Sequence, residues 1–453
     1  ATTPPLRCVY VEYDIDALAT AGLTVGAQIV DATHVVNSEG YAFNASAAPP
    51  VTLGSAPSIN GNTTTWTGSG GTGWTTAGSW TNGVPNSSLN CVINNTANDP
   101  IISGGTATCK SLNMGNGILT MTGGTLEVYG SFTNTGTFTQ GGNTLVLRDD
   151  GATATNQDLQ SSSSLTGVTF NKTAGGTVRV NSTIVVSSAI SLGSGNNFTL
   201  EVESSAILRA SAGITVDGAT LQVDEGGTLQ LGSGQTLTVS GGTLKTTGTN
   251  DAYPQSTTNK AVISNAGSGT WTFSATSGAL DLVGFLIDDL DTNGLNIGGT
   301  TSVTQINGGQ LRNLSTSYAS VKGIQFNTTG SLPSTVSNFG WNWGPDNAPP
   351  ATSESYLLAS STGCASQTVS FDQWFGDFFV DVDDPVTSTK VSATNCTINI
   401  AAAASPVQLT AFDAEGFDSV VRLAWSTGLE WSHQGFNVLR SDNPETGYVQ
   451  INS

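Results

Sequence analysis

The chain has 453 residues and a net charge of −20, with 13 lysines and arginines against 33 acidic residues. Such a balance excludes the basic stripe that binding to nucleic acid or to an anionic membrane surface requires. No run of about 18 apolar residues occurs, so the sequence predicts no membrane-spanning helix.

Residues 1–60 are predicted to form an N-terminal β segment followed by a linker. The stretch CVYVEYDI is typical of a strand, and DIDALATAG is typical of a short helix. The stretch ASAAPPVTLGSAP has the composition of a linker.

A repeated phrase of about eight residues carries the central prediction. It is clearest at residues 218–248, GATLQVDEGGTLQLGSGQTLTVSGGTLKTTG, where apolar residues alternate with polar ones between glycines. That alternation is the period of a half-buried strand, and the glycines allow the positive φ of tight corners. The predicted inward side chains are Leu221, Val223, Leu229, Leu231, Leu237, Val239 and Leu244.

Strands this short cannot each have a core, but coiling solves the problem. Three strands and three corners would make a rung of about 20–27 residues, and successive rungs would stack. The pattern recurs at 115–147, 166–202 and 206–216 and loosens after 252, so we place the solenoid at 66–340, with about a dozen rungs. The alternative is an array of β-sandwiches, but antiparallel sandwiches rarely repeat nearly identical phrases.

The predicted fold class is all-β, a right-handed parallel β-helix (β-solenoid) with small flanking β modules. After the solenoid, PDNAPPATS predicts a linker, and residues 345–400 a small disulfide-stapled β module. This module contains a dense acidic group, consisting of Asp377, Asp381, Asp383 and Asp384. A solvated strand edge explains these carboxylates, and bridging by calcium is the alternative.

The first part of the solenoid resembles a segment of large bacterial secreted β-solenoid proteins. The matching positions are Trp74, Trp80, Gly83, Pro85, Val92, Ile93, Pro100, Leu126, Val128, Phe132, Asn134 and Phe138. VTFNKTAGGTVRVNSTIVV at 168–186 continues the likeness. The resemblance implies a surface, adhesive or filament component.

Residues 405–453 resemble the first half of a fibronectin type III-like sandwich. In that comparison VQLTAFDAEG, VVRLAWST and GFNVLRSD are the first three strands, and Trp425 lies in the core. The later strands of the family are missing. Either the chain is cut there, or a neighbouring subunit supplies the rest.

The sharpest motif for a ligand is DLDTNG, which begins at Asp289. Asp289, Asp291 and Asn293 place oxygen atoms at alternate positions, as in a calcium loop, and Gly294 allows the turn. Thr300 stands where such a loop has its closing glutamate. The motif therefore predicts either a calcium site or an ordinary polar corner.

Catalysis is weighed because parallel β-helices include pectate-lyase-like enzymes. Arg148 beside Asp149 and Asp150 is the nearest approach to a base among acidic metal ligands. A surface salt link explains the same three residues. No hydrolase, metalloprotease, P-loop or dinucleotide fingerprint occurs, and neither His34 nor His433 lies in the solenoid. We expect no enzyme.

Five cysteines in an acidic chain rich in Thr, Ser, Gly and Asn predict an oxidising compartment. Cys91 is expected to pair with Cys109 on an adjacent rung, and Cys364 with Cys396, while Cys8 is left over.

Aromatic residues stand near both ends of the predicted solenoid. Trp66, Trp74 and Trp80 form either an exposed sugar-stacking strip or a cap over the first rung. Trp341 and Trp343 are candidates for the same role at the far end.

These observations predict an extracellular structural protein, a rigid rod that acts as a cell-surface or filament-forming subunit. Other copies of the same chain would be its partners, through strand addition or exchange at terminal β segments. The alternatives are a stalk of a carbohydrate-binding adhesin, with glycans as partners, and a polysaccharide lyase-like enzyme. Calcium is the one cofactor that the motifs suggest.

Overall fold

The structure is a computed structural model that describes residues 62–251, 258–312 and 323–342 and shorter segments. These segments are 28–29, 51–52, 357–359, 364, 367–372, 375–376, 391–393, 396–400, 408–417, 420–429, 438–441 and 449–451. Several residues that the sequence singles out lie outside the described parts: Cys8, His34, Trp343, Asp377, Asp381, Asp383, Asp384 and His433.

The chain divides into two compact units. Unit 1 consists of Ala1–Gln235 and Gly241–Thr243, and unit 2 of Thr236–Ser240 and Leu244–Ser453. In both units the regular secondary structure of the described residues is nearly all β-strand. Short phrases that alternate apolar and polar residues favour this structure, because a strand turns successive side chains to opposite faces.

Unit 1 contains one short 3₁₀ helix, Ala77–Ser79, among its described residues. Its strands are β1 Gln28–Ile29, β2 Val51–Thr52, β3 Thr63–Thr65, β4 Asn90–Ile93, β5 Ile101–Cys109, β6 Leu112–Met114, β7 Ile118–Val128, β8 Phe132–Asn134, β9 Thr137–Thr139, β10 Thr144–Arg148, β11 Gln157–Ser161, β12 Val168–Asn171, β13 Thr177–Val180, β14 Thr183–Val186, β15 Ile190–Leu192, β16 Thr199–Val202, β17 Ile207–Ala210, β18 Ile214–Val216, β19 Thr220–Asp224 and β20 Thr228–Leu231.

Parallel stacks of these strands form the coils of unit 1. The longest stack runs β3, β4, β6, β8, β11, β13, β16, β19. A second stack runs β5, β7, β10, β12, and a third runs β14, β17, β20. From β16 to β20 every third strand lies on the same stack, because β16 pairs with β19 and β17 pairs with β20. Three strands therefore make one turn here, as predicted.

The inward side chains of stacked strands form the core. Leu221, Val223, Leu229 and Leu231 are each 0% exposed, and so are Leu237, Val239 and Leu244. The prediction of the buried face is confirmed for every residue of the repeated phrase that it named.

Glycines make the corners of this coil possible at two positions within the repeat. Gly218 has a φ of 129°, and a Cβ atom there would lie 3.0 Å from the carbonyl oxygen of Gly193. Gly226 has a φ of 77° and sits against the Ser204 hydroxyl. A residue with a side chain would be strained at both corners.

Unit 2 contains the remaining strands of the described residues. They are β21 Thr236–Thr247 (which also carries the three residues assigned to unit 1), β22 Ala261–Asn265, β23 Trp271–Val283, β24 Phe285–Asp288, β25 Leu290–Gly299, β26 Ser302–Asn307, β27 Gln310–Arg312, β28 Ile324–Thr328, β29 Thr335–Ser337, β30 Gly340–Asn342, β31 Leu357–Ala359, β32 Thr368–Asp372, β33 Phe375–Gly376, β34 Val391–Ala393, β35 Thr397–Ile400, β36 Gln408–Phe417, β37 Val420–Leu429, β38 Leu439–Arg440 and β39 Val449–Gln450.

Parallel stacking in unit 2 extends further along the chain than the sequence predicts. One stack runs β23, β25, β28, β31, β34, another runs β22, β24, β27, β30, β33, and a third runs β29, β32, β35. Strands up to Ile400 thus belong to parallel stacks, beyond the limit of 340 and within the region 345–400 that the sequence assigns to a separate module.

Longer turns explain why the repeated phrase does not reveal this extension. Leu295 pairs with Ile324, and Ile324 pairs with Leu357, so the interval between stacked partners is wider than between Leu200 and Leu221 in unit 1. Because each of these turns contains additional residues, the sequence of unit 2 shows no regular repeat from which the stacking could be predicted.

Antiparallel pairing characterises the last described segments. β36 pairs with β37 as a long hairpin, and β38 pairs with β39 as a short one. All three strands that the sequence predicts in 405–453 contain described strand residues.

The fold class is thus confirmed as an all-β, parallel β-solenoid of about 11 turns, with small antiparallel sheets. Among the described residues, no helix has the length and apolar character needed to cross a membrane.

The buried columns should dominate stability. Leu221→Ala should lower the free energy of unfolding by about 2–5 kcal/mol, because it leaves a cavity that the stacked neighbours cannot fill. The measurement is urea unfolding of the full chain, followed by circular dichroism. Thr220→Ala, the adjacent outward position, is the matched control and should change stability by about 0.5 kcal/mol or less. Equal losses in both variants would contradict the inward assignment.

Candidate functional site

Three tryptophans pack together where the described coils begin. Trp66, Trp74 and Trp80 are only 1%, 3% and 4% exposed. The ring of Trp80 makes edge contacts with Trp66 and with Trp74, each at 5.0 Å between centroids. Trp66 Nε1 donates to the carbonyl of Asn98 at 2.6 Å, and Trp80 Nε1 donates to that of Trp74 at 2.7 Å. An exposed sugar-stacking strip is therefore ruled out, and the rings form an apolar cluster.

Both expected cysteine pairs lie at disulfide distance. The Cα atoms are 6.0 Å apart for Cys91 and Cys109 and 5.6 Å apart for Cys364 and Cys396. Cys91 lies in β4 and Cys109 ends β5, and both are fully buried. The first pair closes a loop of nearly one turn of the coil.

The three residues of the lyase-like motif do not converge on one place. Arg148 Nη1 bonds Glu127 Oε1 at 2.8 Å, and the guanidinium lies 5.1 Å from the ring centroid of Tyr129. Asp149 is 3% exposed and accepts hydrogen bonds from the backbone N–H groups of Gly151 and Ala174, at 2.9 and 3.0 Å. Arg148 therefore forms a salt link with Glu127 of the stacked strand β7 and not with Asp149 or Asp150, and Asp149 has a structural role at a corner.

Asp150 also bonds its own loop. Its carboxylate accepts from the N–H groups of Ala152 and Thr153 at 2.9 and 2.7 Å. These backbone hydrogen bonds, led by that of Thr153, lower the pKa of Asp150 because they favour the charged form. Asp150 therefore caps a turn in its ionised form.

A lysine that the sequence analysis does not single out is fully buried. Lys172 is 0% exposed, and its Nζ donates to the carbonyl and the hydroxyl of Thr155, both at 3.0 Å. Burial lowers its pKa, and the charge of Asp149 opposes that shift. The alternating pattern of the sequence already indicated this burial, because Val168, Phe170 and Lys172 occupy successive inward positions.

The outward face of the longest stack carries a polar ladder that the sequence interpretation missed. Asp158 pairs in register with Arg179, Arg179 with Glu201, and Glu201 with Gln222. Arg179 Nη2 lies 3.0 Å from Asp158 Oδ1, and its Nε lies 3.9 Å from Glu203 Oε1. The sequence feature that could have predicted this ladder is a charged or amide side chain that recurs once in each turn at an outward-facing strand position.

Glu201 has a raised pKa within this ladder. Gln222 Nε2 donates to Glu201 Oε1 at 3.0 Å and to Asp224 Oδ1 at 2.8 Å, so one amide bridges two carboxylates. Burial raises the pKa of Glu201 first, and the charges of Asp224 and Glu203 raise it further, against the lowering effect of Arg179. The ladder can hold a proton on Glu201 above the pH range of an ordinary glutamate.

The predicted calcium ligands lie around the start of β25 in unit 2. Asp289 has a φ of 64°, and its Oδ2 is 3.4 Å from the N–H of Asn265. Asp291 accepts from the Thr272 hydroxyl at 2.7 Å and from the N–H of Asn293 at 2.9 Å. Within the part of the chain that the structure describes, no three His, Cys, Asp or Glu residues are grouped to hold a metal. Calcium binding stays a prediction.

Two ion pairs join the coils of unit 2. Arg312 donates to both oxygens of Asp288, at 2.7 and 2.6 Å, one turn apart. Lys260 is 1% exposed, and its Nζ donates to the carbonyls of Thr249 and Gly308 at 2.7 and 2.9 Å. It also contacts the carboxylate of Asp251. These contacts hold turns together.

Comparison of the chain with protein-family models, with curated proteins and with solved structures finds no match in any of the three. The function must therefore be argued from the fold and from these contacts.

Closing one turn with a disulfide should stabilise the first coils. Replacing Cys91 and Cys109 together by serine should lower the free energy of unfolding by roughly 3 kcal/mol, because the unfolded chain regains loop freedom. Peptide mapping by mass spectrometry without reducing agent checks the bond itself. A peptide that joins Cys91 to Cys364 instead would contradict the pairing.

The raised pKa of Glu201 predicts a pH dependence. A carboxyl with a higher pKa in the folded state favours the folded protein in its protonated form, so this contribution is lost as the pH rises from the ordinary value of 4.5. Glu201→Gln should therefore raise the melting temperature at pH 7 by about 1–2 °C. At pH 3.5 the carboxyl is largely protonated in both states, so the variant should match the wild type there. Melting curves that differ equally at both pH values would show that the effect is not titration.

Proposed function

We propose that this chain is an extracellular structural protein, a rigid β-solenoid that acts as a cell-surface or filament-forming subunit. Its contacts with other copies are made through terminal β segments, by strand addition or exchange. The observation that carries this proposal is the continuous stacking of strands in register, with fully buried aliphatic columns behind each stack. Stacked repeats of this kind suit a spacer, because every turn is held by backbone bonds to its neighbours.

The extracellular setting is supported by the cysteines. Four of the five lie in two pairs at disulfide distance, and disulfides persist in oxidising compartments. The absence of a long apolar helix among the described residues is compatible with this setting.

Self-association through terminal segments is supported by the β36–β37 hairpin. It pairs over nearly its whole length, and its described side chains are largely exposed to solvent. Sheet edges and apolar strand faces are the surfaces through which β proteins add strands or exchange segments.

Negative-stain electron microscopy of the purified full chain, from about 1 to 100 μM, tests the proposal. Long regular fibres or defined assemblies are expected. Isolated particles that bind glycans would favour the adhesin stalk instead, and depolymerisation of a polysaccharide with unsaturated products would favour the lyase. Leu221→Asp places a charge in the buried column and is the control. Fibres that persist unchanged in this variant would come from aggregation of unfolded chains, not from the native solenoid.

A further inference from the structure

The first strand of the longest stack, β3, has an outer edge. β3 pairs with β4 on one side, and Trp66 continues that pairing by donating its N–H to the carbonyl of Val92 at 2.9 Å. The backbone groups of successive residues point to opposite edges of a strand. Thr63, Thr65 and Thr67 therefore direct their N–H and C=O groups away from β4. An uncovered edge of this kind is a template for a strand of another chain.

Residues 79–82 of the same chain cover this edge as an antiparallel segment. The N–H of Thr67 donates to the carbonyl of Ser79 at 2.8 Å. The N–H of Thr81 donates to the carbonyl of Thr65 at 3.0 Å. The N–H of Thr65 donates in turn to Thr81 Oγ1 at 2.9 Å. We call residues 79–82 the edge segment.

Side chains complete the cover of the edge. Asn82 Nδ2 donates to the carbonyl of Thr63 at 2.6 Å. The N–H of Asn82 donates to Thr64 Oγ1 at 3.2 Å, and that hydroxyl donates to the carbonyl of Gly83 at 3.0 Å. Every outward backbone group from the carbonyl of Thr63 to the N–H of Thr67 thus has a partner within this chain.

The edge segment does not present a new pairing edge of its own. It is short, and the N–H of Trp80 bends back to the carbonyl of Ala77 at 3.2 Å. The ring of Trp80 is 4% exposed and packs against that of Trp66, which anchors the segment. Pro85, which has no N–H to donate, follows shortly afterwards. Short edge strands and prolines are means by which β proteins prevent pairing between edges.

We propose that the edge segment prevents strand addition from another chain at the first described coil. It occupies the place that an added strand would need, and so it restricts strand addition to other edges of the protein. This inference rests on the proposed function, because it states where subunits do not meet. The net charge of −20 also keeps copies apart, but salt screens that repulsion. A covered edge protects at any salt concentration.

A proline at position 81 opens the edge. Thr81→Pro removes the N–H that binds the carbonyl of Thr65 and the hydroxyl that accepts from its N–H. Trp80 has a φ of −122° and a ψ of 141°, the extended conformation that proline requires of the residue before it. Ser87→Pro is the matched control, because Ser87 is exposed and is the second residue of the turn 86–89, where proline is favoured.

Hydrogen exchange shows whether the edge has opened. Residues 63–67 should exchange at least about fivefold faster in Thr81→Pro than in the wild type, because Thr65 loses two hydrogen bonds. Residues 220–224 in β19 should be unchanged. If β19 also exchanges faster, the double variant Thr81→Val, Asn82→Ala, which removes only side-chain bonds to the edge, replaces Thr81→Pro. Unchanged exchange at 63–67 would mean that the edge segment does not protect β3, which overturns the proposal.

Sedimentation velocity of the full chain in about 0.5 M NaCl, where charge repulsion is screened, measures the consequence. Thr81→Pro should associate at a concentration at least about tenfold lower than the wild type and Ser87→Pro. Association of all three at the same concentration, or of none up to about 100 μM, would overturn the proposal. Wild-type fibres in the microscope without any gain in Thr81→Pro would leave the subunit function intact and this inference wrong. A wild type that never assembles, beside a Thr81→Pro variant that does, would support this inference and contradict the subunit function.

Discussion

The whole structure depends on one constraint, which is that no single turn of the coil has a core of its own. A strand such as β19 buries only two side chains, and these become buried because the strands stacked on it present side chains at the same place. Leu221 is stacked on Leu200, and Val223 on Val202. Backbone hydrogen bonds and apolar burial are therefore satisfied by the same neighbours, at the strand spacing of about 4.8 Å. Stability is a property of adjacent turns and grows with their number.

Aliphatic columns alone do not fix the register, because a leucine packs nearly as well on one leucine as on the next. The outward faces supply what the columns lack. Asp158 meets Arg179 one turn on, and Asp288 meets Arg312. Each surface pair contributes little energy, but a slip of two residues, which would keep aliphatic side chains inward, would still separate the charged partners. Arg179 and Arg312 therefore lie at positions where their ion pairs keep neighbouring turns aligned.

The sequence predicts the buried face well, since Leu229 and Leu231 follow from alternation alone. It does not predict the stacked strands beyond residue 340, because they belong to longer turns whose period no repeated phrase reveals. Lys172 shows a second limit of prediction from sequence. The alternation places its side chain inward, but a buried lysine is expected only when its hydrogen-bond acceptors, here the carbonyl and hydroxyl of Thr155, are known. The polar ladder around Glu201 could be recognised only from the register between stacked strands, and the sequence of a single strand does not reveal that register.

The unequal length of the turns has an evolutionary consequence. Leu208 and Leu229 in unit 1 are separated by a short excursion of the chain and Ile324 and Leu357 in unit 2 by a longer one, yet both pairs stack in parallel. Closing a longer excursion costs only a few tenths of a kcal/mol more, because the entropy of loop closure grows with the logarithm of length. A corner of this coil can therefore accept an inserted segment while the columns on either side remain in step. New binding chemistry can be acquired at the corners without redesigning the interior, so one scaffold can diversify its surface rapidly.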